Sequence, residues 1–214
     1  YKYLSPAADD AERNEFEEYV RRLYEAKGLW ISNTKEPQRI TGLPPEAYPT
    51  FSDLLDLVRG DLYEDISTRH FNPNLSTSKL ARLEKIELTL SNLVHNYGTM
   101  FDGHTSLPNL TQKQIIVYNV QNISTLKPEI FNALLFNVMS MMFDDMVRIG
   151  VPSKEKYESG VPIYQIPKLL LMVDEAHKFI NTRNPLALDY MIGIVREDRK
   201  YFTGLTLASQ SVRD

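Results

Sequence analysis

The chain contains no cysteine among its 214 residues, which excludes disulfides and thiolate metal sites. Its four histidines, His70, His95, His104 and His177, stand at no metal-ligand spacing. Charge of neither sign dominates: the net value is −4, giving no global pull toward nucleic acid or a membrane surface and leaving only local basic patches. No apolar run approaches the ~20 residues of a bilayer span. The opening YKYLSPAADD lacks the basic and apolar regions of a signal peptide. No serine has a nucleophile-elbow context, so a hydrolase triad has no support. There is no internal repeat and no low-complexity segment. An initial Met is also missing, and the sequence stops at Asp214 just after an apolar-to-polar transition; a longer parent chain is expected.

What is present is ordinary for a globular protein, 43% hydrophobic and 24% charged residues. The pattern divides at about residue 110. Residues 1–110 read as a mostly helical subdomain. A helix is expected over Asp9–Lys27, with Phe16, Val20 and Leu23 on one face and Gly28 closing it. Four prolines between 29 and 49 imply an extended connection. Thr50 and Asp53 resemble a capping box for a helix from Phe51 to Arg59, ended by Gly60. Residues 61–76 read as a short helix and a loop. A long helix then follows from Thr77 to Tyr97, where Leu80, Leu83, Ile86, Leu90, Leu93 and Val94 recur every three or four residues.

Residues 111–214 alternate strand and helix. IIVYNV within Gln114–Val120 reads as a buried strand. Pro128 suits the first position of a helix that is apolar over most of its circumference, with Gly150 as its stop and a polar loop over 151–167. Met139 to Met146 on this helix read as core. Lys168–Val173 is a second strand. A helix from Asn184 and Pro185 to about Tyr201 leads to a third strand over Leu205–Ala208. This order predicts parallel βαβ units with right-handed crossovers, an α/β core.

The most informative stretch is KLLLMVDEAHKFI, Lys168–Ile180. Leu169 to Val173 form an unalternating apolar run, the pattern of a strand covered on both faces. Asp174 and Glu175 follow at once, at the carboxyl end where open α/β sheets bind ligands. A phosphate-bound Mg²⁺ takes an acid at such a place, and an attacking water takes a second. Read this way the stretch is a Walker B element: Asp174 holds Mg²⁺ through water and Glu175 orients or activates the attacking water. Two acids opening a helix and interacting with its dipole are the plainer alternative.

Three further positions invite the same pair of readings. Gln210 closes the next strand, where its amide would sense a terminal phosphate and hold water, or merely bond to a loop. Arg196 and Arg199 crowd a helix end. Cations are favourable there in any case, and an arginine finger needs the same placement. His177 is expected to lie exposed on a helix after the acids. The P-loop pattern GxxxxGK[ST] does not occur, so an ATPase built on these acids has its P-loop upstream of Tyr1.

Several segments together resemble one family. PTFSDL (Pro49–Leu54), GTMFDGHTSL (Gly98–Leu107), IIVYNV, LLLMVDEAHKFI and VREDRKYFTGLTLASQSVRD (Val195–Asp214) are similar in order and spacing to the conjugal-transfer ATPases of type IV secretion systems. These are the fourth proteins of VirB-type operons, TraC/TraE-like members of the HerA/FtsK group. The resemblance implies a partial RecA-like P-loop NTPase core, a parallel sheet with flanking helices, beside a mostly helical subdomain. It implies ATP and Mg²⁺ at Asp174 and Glu175, Gln210 as sensor, and Arg196 and Arg199 near a subunit boundary. It also implies hexameric self-association and contact with other secretion components, including the coupling protein. DNA contact and a place at the cytoplasmic face of the inner membrane complete that expectation. Two features depart from the family: the P-loop is absent, and the Trp common after DEA is His177. The resulting DEAH invites a helicase reading, but 173 residues precede Asp174 without a P-loop and RKYFTG is unlike a helicase SAT segment. A non-catalytic interaction module, whose acids only cap a helix, is the rival of another class.

Overall fold

A computed structural model describes residues 1–30, 40, 42–104, 113–178 and 185–210. It divides into two compact units, Tyr1–Pro108 and Asn109–Asp214.

The first unit is built on three helices: α1 (Asp10–Ala26), α2 (Phe51–Leu62) and α3 (Thr77–Phe101). A two-stranded antiparallel ribbon, β1 (Tyr63–Asp65) with β2 (His70–Phe71), joins α2 to α3. It stands where a short helix and loop were expected. Each helix starts on a polar cap. Asp9 accepts from the Glu12 N–H, Thr50 and Asp53 form a reciprocal capping box, and Ser76 accepts from the Lys79 N–H. Two helices outrun the glycines expected to stop them. α2 passes Gly60 and α3 passes Gly98, with a kink at Tyr97. Burial of Val58, Leu62, Leu83, Ile86 and Leu90 holds the helices together, each such side chain contributing about 1.5–3 kcal/mol.

Polar ties decorate that core. The Arg22 guanidinium and the Tyr19 hydroxyl both donate to Asp61, at 2.6 and 2.7 Å. Arg59 donates to the buried Glu87 at 2.8 Å. Asp102, just past α3, accepts from both the backbone N–H and the hydroxyl of Ser52, so the end of α3 is fastened to the first turn of α2.

The second unit has α4 (Pro128–Glu158), β3 (Leu169–Val173), α5 (Pro185–Glu197) and β4 (Thr203–Leu207). β3 and β4 pair in parallel, from Leu169 opposite Thr203 to Val173 opposite Leu207. Leu135, Met139 and Met146 of α4 pack with Leu171 of β3 and with Met191 and Ile194 of α5. The core reading of Met139 and Met146 thus agrees with their burial.

Four expectations need correction here. IIVYNV forms no strand, and Ile115 and Val117 are more than four-fifths exposed; β propensity reflects packing context, and an apolar run that is not buried does not fix a strand. β3 is covered on one face only, since Leu170 and Met172 are 61% and 69% exposed. β4 begins at Thr203, with Gly204 inside it opposite Leu170. α4 does not stop at Gly150 but runs through Pro152 to Glu158. Gly150 is there for close packing: a Cβ would fall 2.3 Å from Cβ of Tyr201. Beyond it, the Ser153 hydroxyl lies 2.8 Å from the Ile149 carbonyl and 3.0 Å from that of Pro167. So extended, α4 is long and apolar enough to cross a membrane by length and composition, although its apolar residues are interrupted by polar ones. The same criterion is met by a core helix such as one lying along β3.

Two predictions follow from this packing. Gly150→Ala drives a methyl into the Tyr201 backbone and side chain, and overpacking of this kind costs about 3 kcal/mol; urea unfolding should show the loss, and an unchanged midpoint would contradict the close approach. In the first unit, burial pushes the Asp61 carboxyl up, but hydrogen bonds from Arg22 and Tyr19 and the Arg22 charge outweigh it and leave its pKa below the ordinary value. The unfolded chain therefore binds the Asp61 proton first. The resulting stability is present above the unfolded pKa of about 3.9 and is lost as pH falls through the folded value. Asp61→Asn should flatten the fall in melting temperature below about pH 4; an unaltered fall would contradict the role of the Arg22 and Tyr19 contacts to Asp61.

Candidate functional site

The site lies where β3 and β4 end side by side. Because their register is in step, the loops that leave them also run together. The Ala208 N–H donates to the Val173 carbonyl at 2.9 Å, and the Ala176 N–H donates to the Ala208 carbonyl at 2.8 Å. Asp174 and Glu175 sit in the turn between these two bonds. Ala176–Lys178 then makes a single 3-10 turn in place of the helix start expected after the acids.

Glu175 has φ +52°, in the left-handed region, which disfavours a side chain with a Cβ. Its N–H donates to Asp174 Oδ1 at 2.9 Å, and its carbonyl accepts from the Lys178 N–H at 2.9 Å. This breaks the in-and-out alternation of the strand.

Gln210 meets that carboxylate. Its amide Nε2 donates to Glu175 Oε1 at 2.7 Å. The other oxygen, Oε2, faces His177 Nε2 at 3.4 Å and Lys178 Nζ at 3.8 Å. His177 Nδ1 in turn lies 3.2 Å from the Ser209 hydroxyl. Asp174 is exposed, with Oδ1 engaged by the Glu175 amide. The structure thus brings Asp174, Glu175 and Gln210 together at one rim. Arg196 is exposed in the last turn of α5, and Arg199 lies in the 3-10 turn Asp198–Tyr201, its side chain outside the described residues.

Sequence reasoning missed His177 and Ser209. His177 is not the freely exposed helix residue expected: its side chain is 22% exposed and engaged on both ring nitrogens. A signal was available. His177 is two residues past Glu175 and Ser209 is one before Gln210, so paired strands in step place the two loops against each other.

The residues suit a magnesium ion presented with a phosphate. Asp174 is an open carboxylate, and among the described residues no group of three or more His, Asp or Glu could hold a metal unaided. Mg²⁺ normally takes one or two carboxylates and completes its shell with water and phosphate oxygens.

No protein-family model matches the chain. An uncharacterized protein of Bacillus anthracis is 28% identical over 215 aligned residues, covering all of this chain and 32% of its own length. A solved structure, VirB4 of Thermoanaerobacter pseudethanolicus, superposes with a TM-score of 0.68 at 17% identity over 99% of this chain and 47% of that one. The chain therefore has the fold of part of VirB4, a mixed helical and parallel-strand arrangement. It spans about a third of the Bacillus protein and about half of VirB4.

Proposed function

We propose that this chain is part of an ATPase of the type IV secretion kind, and that the rim of β3 and β4 is the half of its active site that handles metal and water. The observation that carries the reading is the hydrogen bond from Gln210 to Glu175 across the ends of two parallel strands. A helix cap needs no amide from the segment beyond a neighbouring strand on its second acid. The likeness to the VirB4 fold supports the reading, and so does the place of both acids at a carboxyl rim.

Each residue then has a role. Asp174, open at the rim, would hold a magnesium ion, which when bound would supply positive charge to the phosphates. Glu175 orients the attacking water and takes its proton. Gln210 fixes the Glu175 carboxylate and offers its amide oxygen to the same water. Arg196, in the last turn of α5, and Arg199, in the 3-10 turn that leads into β4, supply positive charge to a phosphate of this or a neighbouring subunit. The grip on the phosphates belongs to a loop elsewhere in the parent, since no GxxxxGK[ST] occurs in these 214 residues. Hexameric assembly, contact with other secretion components and with DNA, and a place at the cytoplasmic face of the inner membrane belong to the same proposal.

Two measurements test it. These 214 residues alone should bind Mg-ATP more weakly than about 100 µM by calorimetric titration; tight binding would overturn the division of the site. In the full-length protein, Glu175→Gln should reduce ATP turnover by at least about 100-fold with nucleotide affinity retained. Turnover at the wild-type rate would remove Glu175 from its role.

A further inference from the structure

The Glu175 carboxylate has a side-chain partner on each oxygen. Oε1 accepts from Gln210, whereas Oε2 faces His177 Nε2, whose other nitrogen meets Ser209. The ring thus has a polar neighbour at each nitrogen, Oε2 at 3.4 Å from Nε2 and the Ser209 hydroxyl at 3.2 Å from Nδ1. The imidazole spans the gap between the turn after β3 and Ser209, next to Gln210 in the segment that follows β4. Lys178 Nζ stands farther away, at 3.8 Å, on a side chain that is 59% exposed. A flexible solvated ammonium constrains a carboxylate less than a ring that is 22% exposed and fastened at both ends.

Resting on the ATPase reading above, we infer that His177 is a positioning residue for Glu175. It holds the carboxylate from the side opposite Gln210, with Ser209 setting the ring. Glu175 is thereby clamped between two side chains whose spacing is set by the parallel register. Its direction toward the rim is fixed before any nucleotide arrives. Supporting partners of this kind typically change activity by 10–100-fold when removed.

The test uses the full-length protein. His177→Ala should lower kcat for ATP about tenfold while KM for ATP and the melting temperature stay near wild type. His177→Gln, whose amide reaches a similar distance, should recover most of the loss. Ser209→Ala should give a smaller loss that does not add to that of His177→Ala. Crystal structures without nucleotide give a readout independent of activity: in His177→Ala the Glu175 carboxylate should leave its position by about 1 Å or more. An unmoved carboxylate, an unchanged kcat, or a loss that Gln does not recover would overturn the inference. If Glu175→Gln is inactive while His177→Ala behaves as wild type, the positioning role alone falls. If Glu175→Gln turns over normally, the ATPase reading falls and this inference falls with it.

Discussion

The candidate site depends on the parallel register of β3 and β4. Leu169 to Val173 stand opposite Thr203 to Leu207 in step, and two backbone hydrogen bonds continue the pairing past the strand ends through Ala208. Everything at the rim follows from that continuation. It sets the turn bearing Asp174 and Glu175 beside the segment bearing Ser209 and Gln210. A slip of one residue would bring Ser209 or Ser211 to the place of Gln210 and reverse the faces of every strand residue.

Register in turn rests on packing. The strands are held from one side by α4 and α5, through Leu171, Met191, Ile194, Met139 and Met146. The start of β4 is located by Tyr201, which lies against Gly150 with no space for a methyl between them. A helix that merely covered the strands apolarly would tolerate sliding. The Gly150 contact, with the Ser153 hydroxyl reaching the Pro167 carbonyl on the approach to β3, ties α4 to the entrances of both strands. A long apolar helix becomes a ruler for the pair.

Much of this was legible in the chain. The capping box at Thr50 and Asp53, the long periodic helix after Ser76 and the apolar run before two acids are local patterns, and local patterns survive into the structure. The acid pair and Gln210 could be assigned to one rim because strand-helix-strand connectivity leaves few topologies. Other features were hidden for identifiable reasons. Gly150 looks like a helix stop because sequence records its flexibility and not its lack of volume. IIVYNV looks like a strand because apolarity alone does not record whether the run is buried. His177 looks solvated because its partner, Ser209, is 32 residues away. Its role emerges only once two loops are set side by side.

The left-handed backbone at Glu175 links these levels. A residue with a Cβ there costs about 1 kcal/mol relative to glycine, and glycine would suit a plain turn better. The strained step is held by hydrogen bonds to Asp174, Lys178 and, through Ala176, to Ala208. Two of these are local; the third exists only when β4 is in register. A carboxylate is thus kept at a position where backbone preference argues against it, with its two oxygens met by side chains from both strands' loops. A structural turn has no need of that arrangement. Arg69 and Phe202 visit the same backbone region, so what sets Glu175 apart is the pair of partners on its carboxylate, Gln210 from beyond β4 on one oxygen and His177 beside the other.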